Sequence, residues 1–132
     1  NDADIRGSFT GLDIATSVED LTQAVLEGVA FGLRDSLEAF RLTDTQIEQL
    51  WAIGGGSKST YWLKLIATVL NVSLDRPKAG EFGAAVGAAR LAMMAKTGAR
   101  AETIMTTPQI AYDKAYDTFK ATYPIIKKAS FH

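Results

Sequence analysis

Cysteine is absent from the 132-residue sequence, histidine occurs once and proline three times. Without cysteine the chain has neither disulfides nor thiolate metal sites. This composition is typical of a reducing compartment, so we expect a cytoplasmic location. Apolar runs are too short for a transmembrane helix, and no basic-then-apolar signal segment opens the chain. The net charge of −1 lacks the basic signature of nucleic-acid binders. We therefore expect neither a membrane nor a nucleic acid as partner.

Catalytic side chains are equally scarce. The one histidine is His132 at the end of the chain, so no Ser–His or Cys–His pair can be assembled elsewhere. The carboxylates are scattered along the sequence without metal-ligand spacing. Glu27 is the exception because it lies in the most apolar helical segment, where we expect it to be solvated or salt-bridged. The sequence thus predicts no catalytic residue and no metal site within this chain.

The overall composition is ordinary for a globular protein. Hydrophobic residues make up 47% and charged residues 22% of the sequence. A chain of 132 residues is long enough for one domain with a core. The sequence starts at Asn1 without an initiator methionine. We therefore expect residues 1–132 to be a single partial domain of a longer protein.

A long helix is predicted from Val18 to about Phe40. Ser17 can cap it, and Glu19 and Asp20 place negative charge in the first turn, where the helix dipole favours it. Glycine lowers helix stability, so we expect the two glycines of this helix to allow close approach of a sheet or a second helix. Apolar positions on two stripes predict burial over a wide arc: Leu21, Val25, Gly28 and Gly32, and then Leu26, Val29, Leu33, Leu37 and Phe40.

The middle of the chain has the pattern of a strand, a helix and a second strand. Residues 47–53 are predicted as a strand, residues 60–70 as a helix and residues 72–75 as a strand that ends at Arg76-Pro77. This spacing is typical of a βαβ unit, so we expect the two strands to be parallel. The helix side chains expected to face inward are Tyr61, Leu65 and Val69, with Trp62 and Ile66 beside them.

Two further helices are predicted in the last third of the chain. Residues 82–96 are rich in glycine and alanine and end before Gly98, which suits a helix that packs closely on its neighbours. Residues 102–107 are predicted as a linker. In residues 111–128 aromatic side chains recur at helical spacing, which predicts a closing amphipathic helix with its aromatic face on the core: Tyr112, Tyr116, Phe119 and Tyr123.

Three consecutive glycines, Gly54 to Gly56, separate the first predicted strand from the helix that follows it. They leave no Cβ atom to keep a ligand off the backbone, and they allow a positive φ where the chain turns sharply. The N–H groups that open the next helix have no partner within the helix. In α/β proteins, ligands bind beyond the carboxyl ends of strands, so this turn is a candidate nucleotide site.

Known phosphate-binding loops match this turn only in part. A Walker A loop requires glycine where Ala52 and Ser57 stand, so the turn is not one. The dinucleotide fingerprint has its first two glycines but meets Ser59 at the third position, while Asp75 follows at the end of the next strand. Binding of NAD is therefore an alternative. A module that only binds other proteins is a third possibility, because catalytic groups are missing.

Two stretches together resemble the C-terminal domain of the FGGY carbohydrate kinases. Gly7 to Leu12, followed after seven residues by Asp20 to Glu27, fits the family's second signature at every restricted position. Ile53 to Ser59, followed by Tyr61-Trp62, is similar to the family's adenosine motif. Residues 80–92 and 115–124 are similar to the xylulokinase branch in particular. The resemblance covers nearly the whole chain.

This resemblance implies an α/β fold, part of a ribonuclease-H-like (actin-like ATPase) domain that is helix-rich with a small, mainly parallel sheet. It implies ATP-dependent phosphorylation of a sugar, D-xylulose to D-xylulose 5-phosphate, with ATP and Mg²⁺ as cofactors. Ribulose, gluconate and glycerol are the alternative sugars. The residues matched to the adenosine side of the ATP site are Gly54, Gly55, Gly56, Ser57 and Ser59; Ser59 stands where some relatives carry a longer Asn.

The resemblance also implies what this stretch of sequence leaves out. The family's phosphate loops and its catalytic aspartate would lie before Asn1, partly in an N-terminal domain that is the natural partner of this one. We therefore expect the fragment alone to be inactive. Unpaired sheet edges, or the apolar side of the first helix, are expected to favour a homo-oligomer.

Overall fold

The computed structural model describes residues 5–43, 47, 49–77, 101–104 and 111–129. In these ranges α1 spans Val18–Arg41, α2 spans Thr60–Leu70 and α3 spans Ala111–Ala129. The strands are β1 (Gln49–Trp51), β2 (Ser73–Pro77) and β3 (Ala101–Ile104), and a 3₁₀ turn covers Gly55–Lys58. The helix predicted over residues 82–96 lies outside the described residues. No helix in the described ranges is both long and apolar enough to cross a membrane.

The start of α1 is held by a capping box. The Ser17 Oγ atom accepts the Asp20 N–H at 3.1 Å, and Asp20 Oδ2 in turn accepts the Ser17 N–H at 2.9 Å. The Ser17 hydroxyl also donates to Asp20 Oδ2 at 2.7 Å. The hydrogen bonds that the Ser17 side chain and backbone donate to this carboxylate favour its ionised form, so the pKa of Asp20 is lowered. The helix predicted from Ser17 is confirmed, and it continues one residue beyond Phe40.

The three strands form one sheet in the order β1-β2-β3. Leu50 of β1 lies opposite Leu74 of β2 in a parallel pair, which confirms the predicted strand–helix–strand unit. β3 runs antiparallel to β2, with Ile104 opposite Leu74. Helix α2 packs against β2 and β3 of this small sheet, as expected for the helix-rich α/β class.

Two details of the sheet correct the sequence prediction. Residues 101–104 form β3, although the linker was predicted from Glu102 onward. The strand is stabilised because Ile104 is buried against the core, a long-range contact that local composition does not reveal. β2 also includes Pro77, which lies opposite Ala101 as the last residue of the strand. Proline is tolerated there because no further pairing residue follows in β2.

Helix α2 is the centre of the core. The inward positions predicted at Leu65, Ile66 and Val69 are confirmed, but Tyr61 is 59% exposed and Leu63 is buried instead. Tyr61 lies in the first turn of α2, and its hydroxyl donates to Gln23 on α1 rather than entering the core. Ala67 and Leu70 of the same helix are also buried. The apolar residues of other segments in this core are Ala30, Phe31, Leu37, Val72, Leu74, Ile104 and Tyr116.

Helix α1 is buried over a narrower arc than predicted. Its partners among the described elements are α2 and α3, and they cover the side that carries Ala30, Phe31 and Leu37. Four predicted core positions stay 43–57% exposed among the described residues: Val25, Val29, Leu33 and Phe40. The described elements are too few to enclose both stripes of a 24-residue helix.

The two glycines of α1 have no close neighbour in the described part of the chain. A Cβ atom built on Gly28 or Gly32 meets no described atom within 4 Å. The predicted close approach of a sheet or helix at these positions is therefore absent from the described ranges. Alanine at either position therefore clashes with none of the described atoms.

Helix α3 packs on α1 through its aromatic stripe. The Phe31 ring lies 5.4–6.3 Å from the ring centroids of Tyr112, Tyr116 and Phe119. Burial is the main cause that raises the pKa of Tyr116 to about 12, and the hydrogen bond to Asp35 is the second. The stripe thus serves core packing as predicted, except that Tyr123 is 46% exposed near the end of the helix.

Candidate functional site: a glycine turn after β1

The glycine turn begins where β1 leaves the sheet. The Ala52 N–H donates to the Asp75 carbonyl at 2.8 Å, which extends the pairing with β2 by one bond. Gly54 then has φ 88° and ψ 179°, a conformation that is essentially restricted to glycine. The backbone reverses at this residue and enters the 3₁₀ turn. The positive φ anticipated from the glycine run is thus observed at Gly54.

Ser57 stabilises the turn through two hydrogen bonds to its backbone. Its N–H donates to the Gly54 carbonyl at 3.1 Å, and its Oγ–H donates to the same carbonyl at 2.7 Å. Its side chain is buried. Of the residues predicted for ligand binding, Ser57 therefore acts on the backbone of the turn, and its hydroxyl is not exposed for a ligand.

Ser59 links the turn to α2. Its N–H donates to the Gly56 carbonyl at 3.2 Å, and its Oγ atom accepts the Trp62 N–H at 3.2 Å as the N-cap of α2. The residue is exposed. One lone pair of the Ser59 hydroxyl is used by the helix, and its hydrogen remains available for an acceptor on a ligand.

No described residue covers the surface above the turn at Gly55. Gly55 and Gly56 are exposed, and a Cβ atom built on Gly55 meets no described atom within 4 Å. A Cβ atom on Gly56 would lie 3.4 Å from Cδ1 of the Trp62 ring. A ligand can therefore reach the backbone at Gly55 directly, with the indole of Trp62 beside Gly56.

An apolar groove of about 410 Å³ adjoins the turn, between the second half of α1, β1 and α2. Gly56, Ser57 and Trp62 form the end of the groove nearest the turn. None of the described residues that line it is charged, so the groove suits a flat apolar group better than a phosphate. Sequence reasoning did not predict this groove. Its signal in the sequence is the apolar stripe of Leu33, Leu37 and Phe40, whose helical spacing by itself predicts only a buried face.

The remaining polar candidates are involved in the structure of the fold. Asp75, which would bind ribose in the dinucleotide interpretation, is only 4% exposed. A 3₁₀ turn also precedes α2, so the strand does not lead directly into the helix as that fingerprint requires.

Glu27 accepts hydrogen bonds from Gln23 at 2.7 Å and from the Tyr112 hydroxyl at 3.2 Å. Within the described ranges no three His, Cys, Asp or Glu side chains are grouped as a metal site.

Residues 1–96 match the model of the FGGY family of carbohydrate kinases, C-terminal domain, and the chain belongs to this family. The resemblance found in the motifs is therefore confirmed, and the architecture is part of the actin-like ATPase fold of these kinases.

Several of the relatives that resemble this chain are xylulose kinases. The chain is 35% identical to xylulose kinase of Staphylococcus xylosus over 112 residues, which cover 85% of this chain and 23% of that protein. A crystal structure of a xylulose kinase from Brucella ovis has a TM-score of 0.82 and 48% identity, covering 98% of this chain and 29% of that one. Xylulose kinase from Rhodospirillum rubrum has a TM-score of 0.78 and 30% identity, covering 98% and 28%. The chain thus spans about a quarter of the length of these relatives.

Proposed function

We propose that this chain is the adenosine-binding part of an ATP-dependent kinase that converts D-xylulose to D-xylulose 5-phosphate. The observation that carries the proposal is the open glycine turn, in which Gly54 takes a glycine-only conformation and Gly55 exposes its backbone. Family membership supports the reaction type, and the xylulose kinases among the relatives support the sugar. Residues 1–132 are then part of one domain of a longer kinase.

In this proposal the adenosine lies on Gly54, Gly55 and Gly56. The adjoining apolar groove favours a flat ring over a charged group. Ser57 keeps the turn in shape, and the free hydrogen of the Ser59 hydroxyl meets an acceptor on the nucleotide.

The reaction moves the γ-phosphoryl group of ATP to a sugar hydroxyl, whose proton passes to a general base, while ADP leaves. When bound, Mg²⁺ spreads the charge of the transferred group. The motif resemblance implies that the phosphate loops and the catalytic aspartate belong to other parts of the kinase, so we assign the metal and the base to the rest of the longer kinase, including its N-terminal domain. The absence of cysteine supports a cytoplasmic location.

The proposed reaction is tested by ADP release from a full-length kinase that carries this sequence, assayed with D-xylulose, L-ribulose, gluconate and glycerol. We expect the highest kcat/KM with D-xylulose and only background release from the isolated 132-residue chain. Preference for another sugar would leave the assignment as a kinase intact and contradict the assignment of D-xylulose as the substrate. If no sugar is phosphorylated, parallel titrations with ATP and NAD decide between the kinase and the dinucleotide alternative. Turnover by the isolated chain would contradict our assignment of the base.

We also propose that the isolated chain self-associates through the exposed face of α1. Val25 and Val29 are each 52% exposed, and two such faces can bury one another's apolar surface. Sedimentation velocity at increasing concentration is expected to reveal a dimer. The double substitution Val25→Lys and Val29→Lys should abolish it, while Thr118→Lys on the exposed side of α3 should not. A single monomeric species at every concentration would contradict the proposal.

A further inference from the structure

Arg76 of β2 lies beside the glycine turn because β1 and β2 are parallel. Trp51 is opposite Asp75 in the register, and the Ala52 N–H bonds the Asp75 carbonyl. The carboxyl ends of the two strands are therefore adjacent, and the residue after Asp75 is next to the chain that leaves β1. Nothing in the local sequence around Arg76 indicates this neighbour, which lies 16–19 residues earlier.

The guanidinium of Arg76 bridges two parts of the turn. Its Nη1 atom lies 3.5 Å from the Ser57 carbonyl oxygen and 3.3 Å from Thr60 Oγ1. The first acceptor belongs to the 3₁₀ turn and the second to the first residue of α2. Arg76 is partly buried, so water screens these charged hydrogen bonds less than it would on an open surface.

The turn has a specific need for such a bridge. Its consecutive glycines lose more conformational entropy on ordering than other residues would. The hydrogen bonds of Ser57 and Ser59 to glycine carbonyls are local and do not by themselves connect the turn to the sheet. A contact from β2 fixes the turn relative to the sheet, because β2 is itself paired on both sides, with β1 and with β3.

We propose that Arg76 is a positioning residue for nucleotide binding, which orders the glycine turn against β2 before ATP arrives. This inference rests on the proposed function, since it assigns ATP to the turn. The guanidinium acts through the Ser57 carbonyl and the Thr60 hydroxyl and does not itself contact the nucleotide. ATP then binds to a turn whose ordering cost has already been met by the fold.

The test compares Arg76→Gln, Arg76→Lys and the control Arg41→Gln in the full-length kinase. Arg41 is a partly exposed arginine whose partner, Glu38, lies on its own helix. We expect Arg76→Gln to raise the KM for ATP about tenfold, the effect of losing one charged hydrogen bond, with kcat and the sugar KM within about twofold. Lysine keeps a charged donor and should recover part of the affinity, and Arg41→Gln should have no effect.

Thr60→Val should weaken ATP binding less than Arg76→Gln does, and the effects of the two substitutions on ATP affinity should be non-additive when they are combined.

A second measurement separates this inference from the proposed function. Hydrogen exchange of the Ser57 and Ser59 amides is followed in the same variants without nucleotide. Arg76→Gln should accelerate exchange at both amides and leave the amides in the middle of α1 unchanged. Unchanged exchange at the turn would overturn the positioning role even if the kinase is active. Faster exchange in a protein that phosphorylates no sugar would keep the positioning of the turn and overturn the proposed function. A fall in kcat at constant KM for ATP would also contradict the inference.

Discussion

Replacement of Gly54 by alanine should lower the free energy of unfolding by about 1–3 kcal/mol, the cost of holding a side chain in this backbone conformation. The residue has φ 88° and ψ 179°. A Cβ atom at this position meets no described atom within 4 Å, so the expected cost is backbone strain and not a clash. Relief of the strain would rotate the Gly54 carbonyl away from Ser57, which donates two hydrogen bonds to it. The same substitution should therefore also raise the KM for ATP in the full-length kinase.

Urea unfolding of the 132-residue chain measures this effect. Gly28→Ala is the matched control, because Gly28 lies in a helix, has no positive φ and leaves open space around an added Cβ. Alanine there should stabilise the chain by about 1 kcal/mol through its higher helix propensity. Equal stability of Gly54→Ala and the unsubstituted chain would mean that the turn adopts another conformation in solution.

Replacement of Gly55 by phenylalanine should abolish ATP binding while the fold is retained. Gly55 has no positive φ, and an added Cβ meets no described atom within 4 Å, so the turn can accept the side chain. The ring would occupy the space above the turn that the proposal gives to adenosine. We expect at least a hundredfold loss of ATP affinity, about 2.7 kcal/mol, with an unchanged melting temperature.

A graded series makes this prediction specific. Gly55→Ala should cause a much smaller loss than Gly55→Phe, because a methyl group intrudes less. Thr118→Phe adds the same ring to an exposed position of α3 and should leave ATP binding unchanged. Calorimetric titration of the full-length kinase with ATP gives the affinities. If Gly55→Phe binds ATP normally, the adenosine lies elsewhere. If the chain binds no ATP and Gly55→Phe leaves its binding to a partner protein unchanged, the result would instead favour a module that only binds other proteins.

The sequence by itself determined the features that depend on neighbouring residues. The first helix could be predicted from Ser17 and the acidic residues after it, because a cap and its partner are three residues apart. The bounds of the second helix followed from its periodicity; it ends at Leu70, and Asn71 caps it in a left-handed conformation with φ 51°. The glycine turn was recognisable because a glycine run between a strand and a helix is also a local signal. Family membership followed from motifs of the same local kind.

Only the tertiary structure decided which apolar residues are buried and which distant residues meet. The exposed face of α1 carries the same residue types as the buried face, and the packing of α2 and α3 selects between them. β3 forms because Ile104 reaches Leu74, thirty residues earlier in the chain. Arg76 meets Ser57 and Thr60 because parallel pairing brings two strand ends together. Burial and register depend on chain segments that are far apart in sequence, so no local pattern contains them.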